Sequence, residues 1–139
     1  MIPLISIVGR PNVGKSTLFN RLLGRRKSIV FSEPGSTRDL IKERLEINEK
    51  VFFIIDSGGF DNEKEHYPAL IKKKVLKTIR NSDLIVFMVD GQSGFQNEDR
   101  EILNIIRKEK KDFITVLNKI DDKRSEENKA EFYKLGIKD

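Results

Sequence analysis

The 139-residue chain contains no cysteine, no tryptophan and only four prolines. Without cysteine, disulfide frameworks, thiolate metal sites and cysteine nucleophiles are excluded. The longest unbroken apolar run, residues 84–89, is far shorter than the roughly 18 residues that a membrane-spanning helix requires. Met1 leads directly into apolar residues with no basic leader. We therefore expect no signal peptide, no membrane partner and a cytoplasmic location.

Long blocks of one charge sign are also absent. Lysine and arginine number 27 against 22 acidic residues, which gives a net charge of +5 and a pI near 9.4. A pI above about 9 is compatible with a nucleic-acid partner. The basic residues, however, occur in short clusters at 25–27, 72–74 and 108–111, a spread that is typical of solvated helix faces. Charge alone therefore does not decide the partner.

Apolar runs of strand length alternate with stretches of helical period. We predict strands at 2–8, 41–47, 51–55, 84–89 and 113–117, and helices at 16–23, 98–109 and 125–134 and after Pro68. Continuously apolar strands separated by helices indicate a parallel sheet that is covered on both faces. The second strand alternates instead and is joined to the third by a polar turn at 48–50, which predicts a hairpin. The predicted fold class is α/β, a mostly parallel sheet with one antiparallel edge strand, in a single domain at 1–139 without an internal boundary. The strand phenylalanines predicted to lie in the core are Phe52, Phe53, Phe87 and Phe113.

The strongest motif is Gly9-Arg-Pro-Asn-Val-Gly-Lys-Ser16, a full match to the phosphate-loop pattern G-x-x-x-x-G-K-[ST] between a strand and a helix. Gly9 and Gly14 are expected to supply the backbone angles that turn N–H groups around phosphates. Lys15 can reach the β- and γ-phosphates, and the Ser16 hydroxyl can ligate Mg²⁺. The predicted nucleotide contacts of this segment are Gly9, Arg10, Pro11, Asn12, Val13, Gly14, Lys15, Ser16 and Thr17.

The base is indicated by Asn118-Lys-Ile-Asp121 at the end of the last apolar strand. The Asp121 carboxylate can accept from both N1–H and the exocyclic amine of guanine, whereas adenine would leave it unpaired. Lys119 can lay its stem against the base, and Asn118 can tie this loop to the phosphate loop. Alone, the four residues also fit a surface turn. Their place after a phosphate loop and its parallel strands favours guanine.

Two further segments complete the predicted site. Asp56 ends the third strand, where its carboxylate can hold Mg²⁺ through water, and Gly59 lets a backbone N–H approach a γ-phosphate. Thr37, in the loop after the first helix, is the candidate second hydroxyl ligand for Mg²⁺. The predicted nucleotide contacts that follow the third strand are Asp56, Ser57, Gly58, Gly59 and Phe60.

The chain resembles a specific family, the EngA (Der) bacterial tandem GTPases, in its first GTPase domain. The matching segments are 9–22, Pro34-Gly-Ser-Thr-Arg-Asp39, Asp56-Ser-Gly-Gly59, Val89-Asp-Gly91 and Asn118-Lys-Ile-Asp121. The resemblance implies a Ras-like G domain of the P-loop NTPases that acts in assembly of the large ribosomal subunit. It also implies a second GTPase domain and a KH-like RNA-binding domain in the full chain. The family's fifth guanine loop would follow Asp139, so we expect a G domain that lacks its last strand and helix.

The resemblance further implies a mechanism, attack of water on the γ-phosphate of GTP. Ras-type enzymes place a glutamine where this chain has Phe60. In the group that EngA resembles, a K⁺ ion held partly by the phosphate-loop asparagine takes the role of an arginine finger, and Asn12 matches that asparagine. We therefore predict K⁺-stimulated hydrolysis with Asn12 as a K⁺ ligand. The predicted catalytic residues are Asn12, Lys15, Thr37 and Gly59.

Three alternatives remain open from the residues. Phe60 in place of glutamine is compatible with a guanine-nucleotide-binding module that regulates without hydrolysis. Another P-loop enzyme, such as an ATPase or a nucleotide kinase, is disfavoured by 118–121. Within the GTPases, Era-like proteins share the phosphate-loop asparagine, but Asp56-Ser-Gly-Gly59 departs from their Asp-x-Pro-Gly.

Overall fold

The computed structural model describes residues 2–24, 42–56 and 68–118, together with Ala130. The strands are β1 (Leu4–Val8), β2 (Lys42–Ile47), β3 (Lys50–Asp56), β4 (Leu84–Asp90) and β5 (Asp112–Asn118). The helices are α1 (Lys15–Leu23), α2 (Pro68–Arg80) and α3 (Asn97–Lys108). Each lies within two residues of the bounds predicted for it, where bounds were predicted. The last predicted helix, 125–134, lies outside the described residues except for Ala130, which is helical.

The strands form one five-stranded sheet in the order β2-β3-β1-β4-β5. β1 pairs in parallel with β3 and β4, and β4 pairs in parallel with β5. Only β2 and β3 are antiparallel in the described ranges. Asn48 and Glu49 have positive φ angles of 51° and 69°, the conformation of a two-residue hairpin turn. Lys50, which was predicted as part of the turn, already belongs to β3 because it pairs with Ile47. The predicted fold class is confirmed.

Apolar side chains cover both faces of this sheet. On one face α2 and α3 pack through Ile79, Leu103 and Ile106 against β4. On the other face α1 packs through Phe19, which is fully buried among residues of β1 and β3. Closely packed protein cores hold their elements in fixed relative positions. The carboxyl ends of β1, β3, β4 and β5 are therefore a fixed platform.

The four phenylalanines predicted as core residues differ in burial. Phe87 in β4 is fully buried, and Phe113 is half-buried against the same cluster. Phe52 and Phe53 in β3 are only half-buried, although they were predicted to be in the core. The Lys42 ammonium lies 4.2 Å from the centre of the Phe53 ring. A lysine on the edge strand thus covers this ring by a cation–π contact, where a central strand would have apolar neighbours.

Across the described ranges, no helix combines the length and the apolar character that crossing a membrane would need.

Candidate nucleotide-binding site

The turn from β1 into α1 is built around Gly14. Gly14 has a left-handed φ of 107° and caps the N-terminus of α1, and its carbonyl accepts the first helical bond from Leu18 N at 3.1 Å. A Cβ on Gly14 would lie 2.3 Å from the Asn118 side-chain nitrogen. Because glycine has no side chain, the backbone can turn here and the positive end of the helix dipole faces the loop.

Gly9 is required for a different reason from the one predicted. Its φ is not in the left-handed region, in contrast to Gly14 and Gly24. A Cβ at Gly9 would instead lie 2.6 Å from the carbonyl oxygen of Met88 in β4 and 3.0 Å from Val13. The expectation of a special backbone angle is correct for Gly14, whereas at Gly9 the constraint is room against the neighbouring strand.

Lys15 carries its charge into the interior of the loop. The residue is only 3% exposed, and its Nζ donates to the carbonyls of Gly9 at 2.6 Å and Arg10 at 2.8 Å. Two hydrogen bonds to the backbone hold the ammonium at the start of the loop. This arrangement places a compact positive charge where a phosphate loop needs one.

Oxygen ligands come together beside this charge. The Ser16 hydroxyl donates to Asp56 Oδ2 at 3.0 Å, across the boundary between α1 and the end of β3. A hydroxyl and a carboxylate are hard oxygen donors of the kind that Mg²⁺ prefers. The pair therefore fits a magnesium site. The other residues predicted for this part of the site lie outside the described residues, and they are Thr37, Ser57, Gly58, Gly59 and Phe60.

The end of β5 is tied to the phosphate loop. Asn118 Nδ2 donates to the carbonyl of Val13 at 2.9 Å, between residues 105 positions apart, and the Asn118 carbonyl accepts from Gly91 N at 2.7 Å. This is the tie that the sequence predicts for Asn118. Lys119 and Asp121, which were predicted to contact the base, lie outside the described residues.

Within the loop, exposed and buried positions are mixed. Asn12 has a left-handed φ of 66°. Val13 is fully buried in the cluster under α1 and anchors the loop to the core. Four of the predicted contact residues are open to solvent, and they are Pro11, Asn12, Ser16 and Thr17.

The Arg10 side chain is engaged away from the loop. Its Nε donates to Asp99 Oδ2 at 3.2 Å and its Nη2 donates to the Ser93 hydroxyl. The side chain is 17% exposed. The carbonyl of Arg10 faces into the loop, where it accepts from Lys15 Nζ. The sequence placed Arg10 among the nucleotide contacts, whereas in the structure its guanidinium contacts α3 and the loop before it.

Asp99 is the residue of this region that the sequence did not indicate. It is fully buried in the first turn of α3, where Oδ2 also accepts from Gln96 N at 2.8 Å. Its Oδ1 makes no hydrogen bond within the described part of the chain. The reciprocal helix-start spacing of Gln96 and Asp99 is the one local signal that could have revealed it.

Burial raises the pKa of the Asp99 carboxyl above its ordinary value. The hydrogen bond from Gln96 and the Arg10 guanidinium lower that pKa, and the charge of Glu98 raises it further. Desolvation dominates because the carboxylate loses its water and gains only these partners. The folded chain therefore binds the Asp99 proton more tightly than the unfolded chain does.

This difference predicts a pH dependence of stability. The stability that protonated Asp99 contributes should be complete below the ordinary aspartate pKa of about 3.9 and should be lost as the pH rises through the raised value. The free energy of unfolding of the wild type should therefore fall relative to that of Asp99→Asn over this window. Urea denaturation of both proteins from acid to neutral pH measures the difference. A difference that does not change with pH would contradict the prediction.

A phosphate loop between β1 and α1, a carboxylate at the end of β3 and an asparagine tie from β5 together define a P-loop protein with the Ras-like G-domain fold. Residues 4–119 match the family model described as 50S ribosome-binding GTPase. The chain belongs to this family.

Individual relatives give a more specific assignment within this family. The chain is 44% identical over 138 residues to the GTPase Der of Alkaliphilus metalliredigens and 49% identical over 138 residues to that of Clostridium acetobutylicum. These matches cover 99% of this chain but 31% and 32% of the relatives, so the chain spans about a third of their length. The predicted likeness to the first GTPase domain of the EngA (Der) family is confirmed.

Solved structures show the same fold. An Era variant of Aquifex aeolicus bound to GDP.AlF4- superposes with a TM-score of 0.75 at 32% identity, over 96% of this chain and 47% of that one. Era in complex with MgGDPNP and a segment of 16S ribosomal RNA gives a TM-score of 0.72 at 30% identity, with the same coverage. Era-like domains are thus structural neighbours of this chain.

Proposed function

We propose that this chain binds GTP and hydrolyses it by attack of water on the γ-phosphate, as a switch domain of a longer ribosome-assembly GTPase. The hydrogen bond from Asn118 to Val13 carries the proposal. It joins the start of the Asn118-Lys-Ile-Asp121 segment to the phosphate loop, so that one ligand can contact both. A nucleotide has this form, with a base at one end and phosphates at the other.

Guanine is the base that this segment favours. Starting from the fixed position of Asn118, Asp121 would accept from N1–H and the exocyclic amine, and Lys119 would cover the ring. Adenine bound in this position would leave the Asp121 carboxylate without partners, which costs about 1–3 kcal/mol or more for a charged group. Discrimination against adenine follows from this cost.

The phosphates would be held by the loop and by the buried ammonium of Lys15. The backbone N–H groups at the start of α1 would face the phosphates, and the helix dipole would add to their effect. Magnesium would be held by Ser16 and Thr37 and, through water, by Asp56, and when bound it supplies charge that neutralises the phosphate oxygens. The Ser16–Asp56 contact at 3.0 Å supports this ligand set. Gly59 would present its N–H to the γ-phosphate.

The proposed function places the domain in a larger protein. Because the chain spans about a third of its relatives, we propose that a second GTPase domain and a KH-like domain complete it. Its partners would be the large ribosomal subunit or its RNA, in the cytoplasm. The family description, 50S ribosome-binding GTPase, supports this partner.

Calorimetric titration with GDP and, separately, with ADP in Mg²⁺ and K⁺ tests the proposal. We expect binding of GDP and none of ADP, followed by multiple-turnover release of phosphate from GTP. Equal binding of both nucleotides would contradict the guanine site, whereas binding of neither would make the fifth guanine loop of the family a requirement for affinity. Binding of GTP without phosphate release would instead support the non-hydrolysing regulatory module.

Potassium should stimulate the reaction. Phe60 can neither donate nor accept a hydrogen bond to orient water, and Asn12 is exposed on the loop, where an oxygen ligand for a monovalent cation is needed. We expect turnover of GTP to be several-fold faster in KCl than in NaCl at equal ionic strength, and the Asn12→Ala variant to lose the difference. Equal rates in the two salts would remove K⁺ from the mechanism.

A further inference from the structure

The loop between β4 and α3, residues 91–96, is connected to the phosphate loop at two places. At one, Gly91 N donates to the carbonyl of Asn118, whose side chain holds Val13. At the other, the Arg10 guanidinium contacts Ser93. Residues 91–96, which contribute no predicted nucleotide contact, are therefore connected to the phosphate loop directly through Arg10 and indirectly through Asn118.

The loop itself is braced by carboxylates. Asp90 Oδ1 accepts from Gln92 N at 2.8 Å and from Ser93 N at 3.2 Å. Asp99 Oδ2 accepts from Gln96 N at 2.8 Å, and the Gln96 side chain returns a hydrogen bond to the Ser93 carbonyl. Ser93 thus offers its hydroxyl to Arg10 from a backbone that is fixed on both sides.

Among the contacts that connect α3 and the 91–96 loop to the phosphate loop, the one between Arg10 and Asp99 involves a fully buried carboxylate. Asp99 is 0% exposed and Arg10 is 17% exposed. Because Asp99 Oδ1 has no hydrogen bond with any described residue, Oδ2 carries both of the carboxylate's hydrogen bonds. A buried carboxylate left without its cation is strongly destabilised, so the guanidinium is held firmly at this position.

Arg10 connects Asp99 to the predicted phosphate site through two of its own contacts. Its guanidinium is held by Asp99, and its carbonyl accepts from Lys15 Nζ at 2.8 Å. A single residue therefore links the buried carboxylate of α3 to the ammonium that meets the phosphates. Displacement of the Arg10 backbone would displace one of the two carbonyls that orient Lys15.

We propose that Asp99 is a positioning residue for phosphate binding, acting through Arg10 on Lys15. This inference rests on the proposed function, since it assigns a role in nucleotide binding. Its effect should be largest at the phosphate end of the ligand, because Arg10 contacts the Lys15 ammonium, whereas Asp99 reaches Asn118 only through the 91–96 loop. Loss of Asp99 should therefore reduce affinity more for a ligand that places more phosphates in the loop.

The experiment compares GDP with GMP, which lacks the β-phosphate. Asp99→Asn keeps the shape of the side chain and removes its charge, and Arg10→Lys keeps the cation and removes the Nε contact. Each dissociation constant is measured by displacement of a fluorescent GDP derivative. The control is Glu109→Gln, which removes the charge from an arginine–carboxylate contact of similar geometry but greater exposure, from Arg80 Nε at 3.1 Å. Glu109 follows the C-terminal end of α3, just before β5 begins, whereas the phosphate loop follows the carboxyl end of β1.

We expect Asp99→Asn and Arg10→Lys each to weaken GDP by about tenfold to a hundredfold, as displaced supports of a binding group do. GMP should change by less than about threefold, and Glu109→Gln should change neither, consistent with the small effects of exposed pairs. The double variant should be no worse than either single one, because the two residues form one unit.

Equal weakening of GDP and GMP would show a general loss of structure and would overturn the proposal. Unchanged GDP affinity in either variant, or additive losses in the double variant, would also overturn it. If Asp99→Asn fails to fold by circular dichroism, Arg10→Lys and the GDP-to-GMP ratio decide the question. Failure of the unmodified chain to bind GDP would count against the proposed function instead.

Discussion

Gly14→Ala should weaken GDP binding by about tenfold or more, whereas Gly24→Ala should leave it intact. Both glycines have left-handed φ angles, 107° and 72°, one at each end of α1. An alanine in this conformation costs about 1–2 kcal/mol at either position. The two variants therefore share the backbone strain and differ in what the new Cβ meets.

The difference is steric. A Cβ at Gly14 lies 2.3 Å from Asn118 Nδ2, while a Cβ at Gly24 has nothing within 4 Å. The Asn118 amide can move away only by giving up its 2.9 Å hydrogen bond to Val13. Gly14→Ala therefore breaks the tie between the base segment and the phosphate loop, in addition to straining the loop itself.

We expect the dissociation constant of GDP to rise by about tenfold or more in Gly14→Ala, since the lost hydrogen bond alone contributes about 0.5–1.5 kcal/mol and the phosphate loop is displaced with it. In Gly24→Ala the constant should stay within about twofold, with a loss of about 1 kcal/mol in the free energy of unfolding. Calorimetric titration and urea denaturation of both variants measure the two quantities. Equal GDP binding by the two variants would refute the steric role of Gly14.

Lys15→Met should weaken phosphate binding without losing the fold. Methionine retains much of the apolar stem and removes the ammonium, which is buried and donates to the carbonyls of Gly9 and Arg10. A charged hydrogen bond to a phosphate contributes about 1.5–3 kcal/mol, so GDP should bind about ten- to a hundredfold more weakly.

The rate of GTP hydrolysis should fall by a larger factor than the affinity for GDP. Charge grows on the phosphate oxygens in the transition state, and removal of one preorganised donor in such sites costs about a hundredfold to a thousandfold in rate. The free energy of unfolding should change by less than about 1 kcal/mol, because the variant also removes a costly buried charge. Lys77→Met, at an exposed position on α2, is the control, and it should match the wild type in all three measurements. A Lys15→Met chain with wild-type GDP affinity would exclude Lys15 from the phosphate site.

Asp99 is expected to affect GDP affinity from outside the phosphate loop. Gly14 and Lys15 act inside the phosphate loop, whereas Asp99 acts on it from α3 through Arg10. If all three predictions are correct, affinity for GDP depends on a region wider than the residues that contact it. Substitutions at the start of α3 could then change nucleotide affinity without any contact to the ligand.

Most of the fold is determined by local patterns in the sequence. Strand β4 is apolar throughout because both of its faces are buried, and α1 shows its apolar spacing because one face packs on the sheet. The phosphate loop is likewise local, because its glycines and Lys15 lie within one turn of backbone between a strand and a helix. The half-burial of Phe53 was missed because it depends on the position of β3 next to an edge strand, which carries Lys42.

The sequence by itself determined the order of the elements, the presence of a phosphate loop and the prediction of a guanine-reading segment, since each depends on neighbouring residues. Only the tertiary structure decided that Gly9 is constrained by the Met88 carbonyl and that Arg10 points to Asp99, 89 positions away. No periodicity or motif encodes these contacts, because they depend on distances that exist only after β1, β4 and α3 have packed together. The direction of a long side chain such as Arg10 is set by where its buried partner lies.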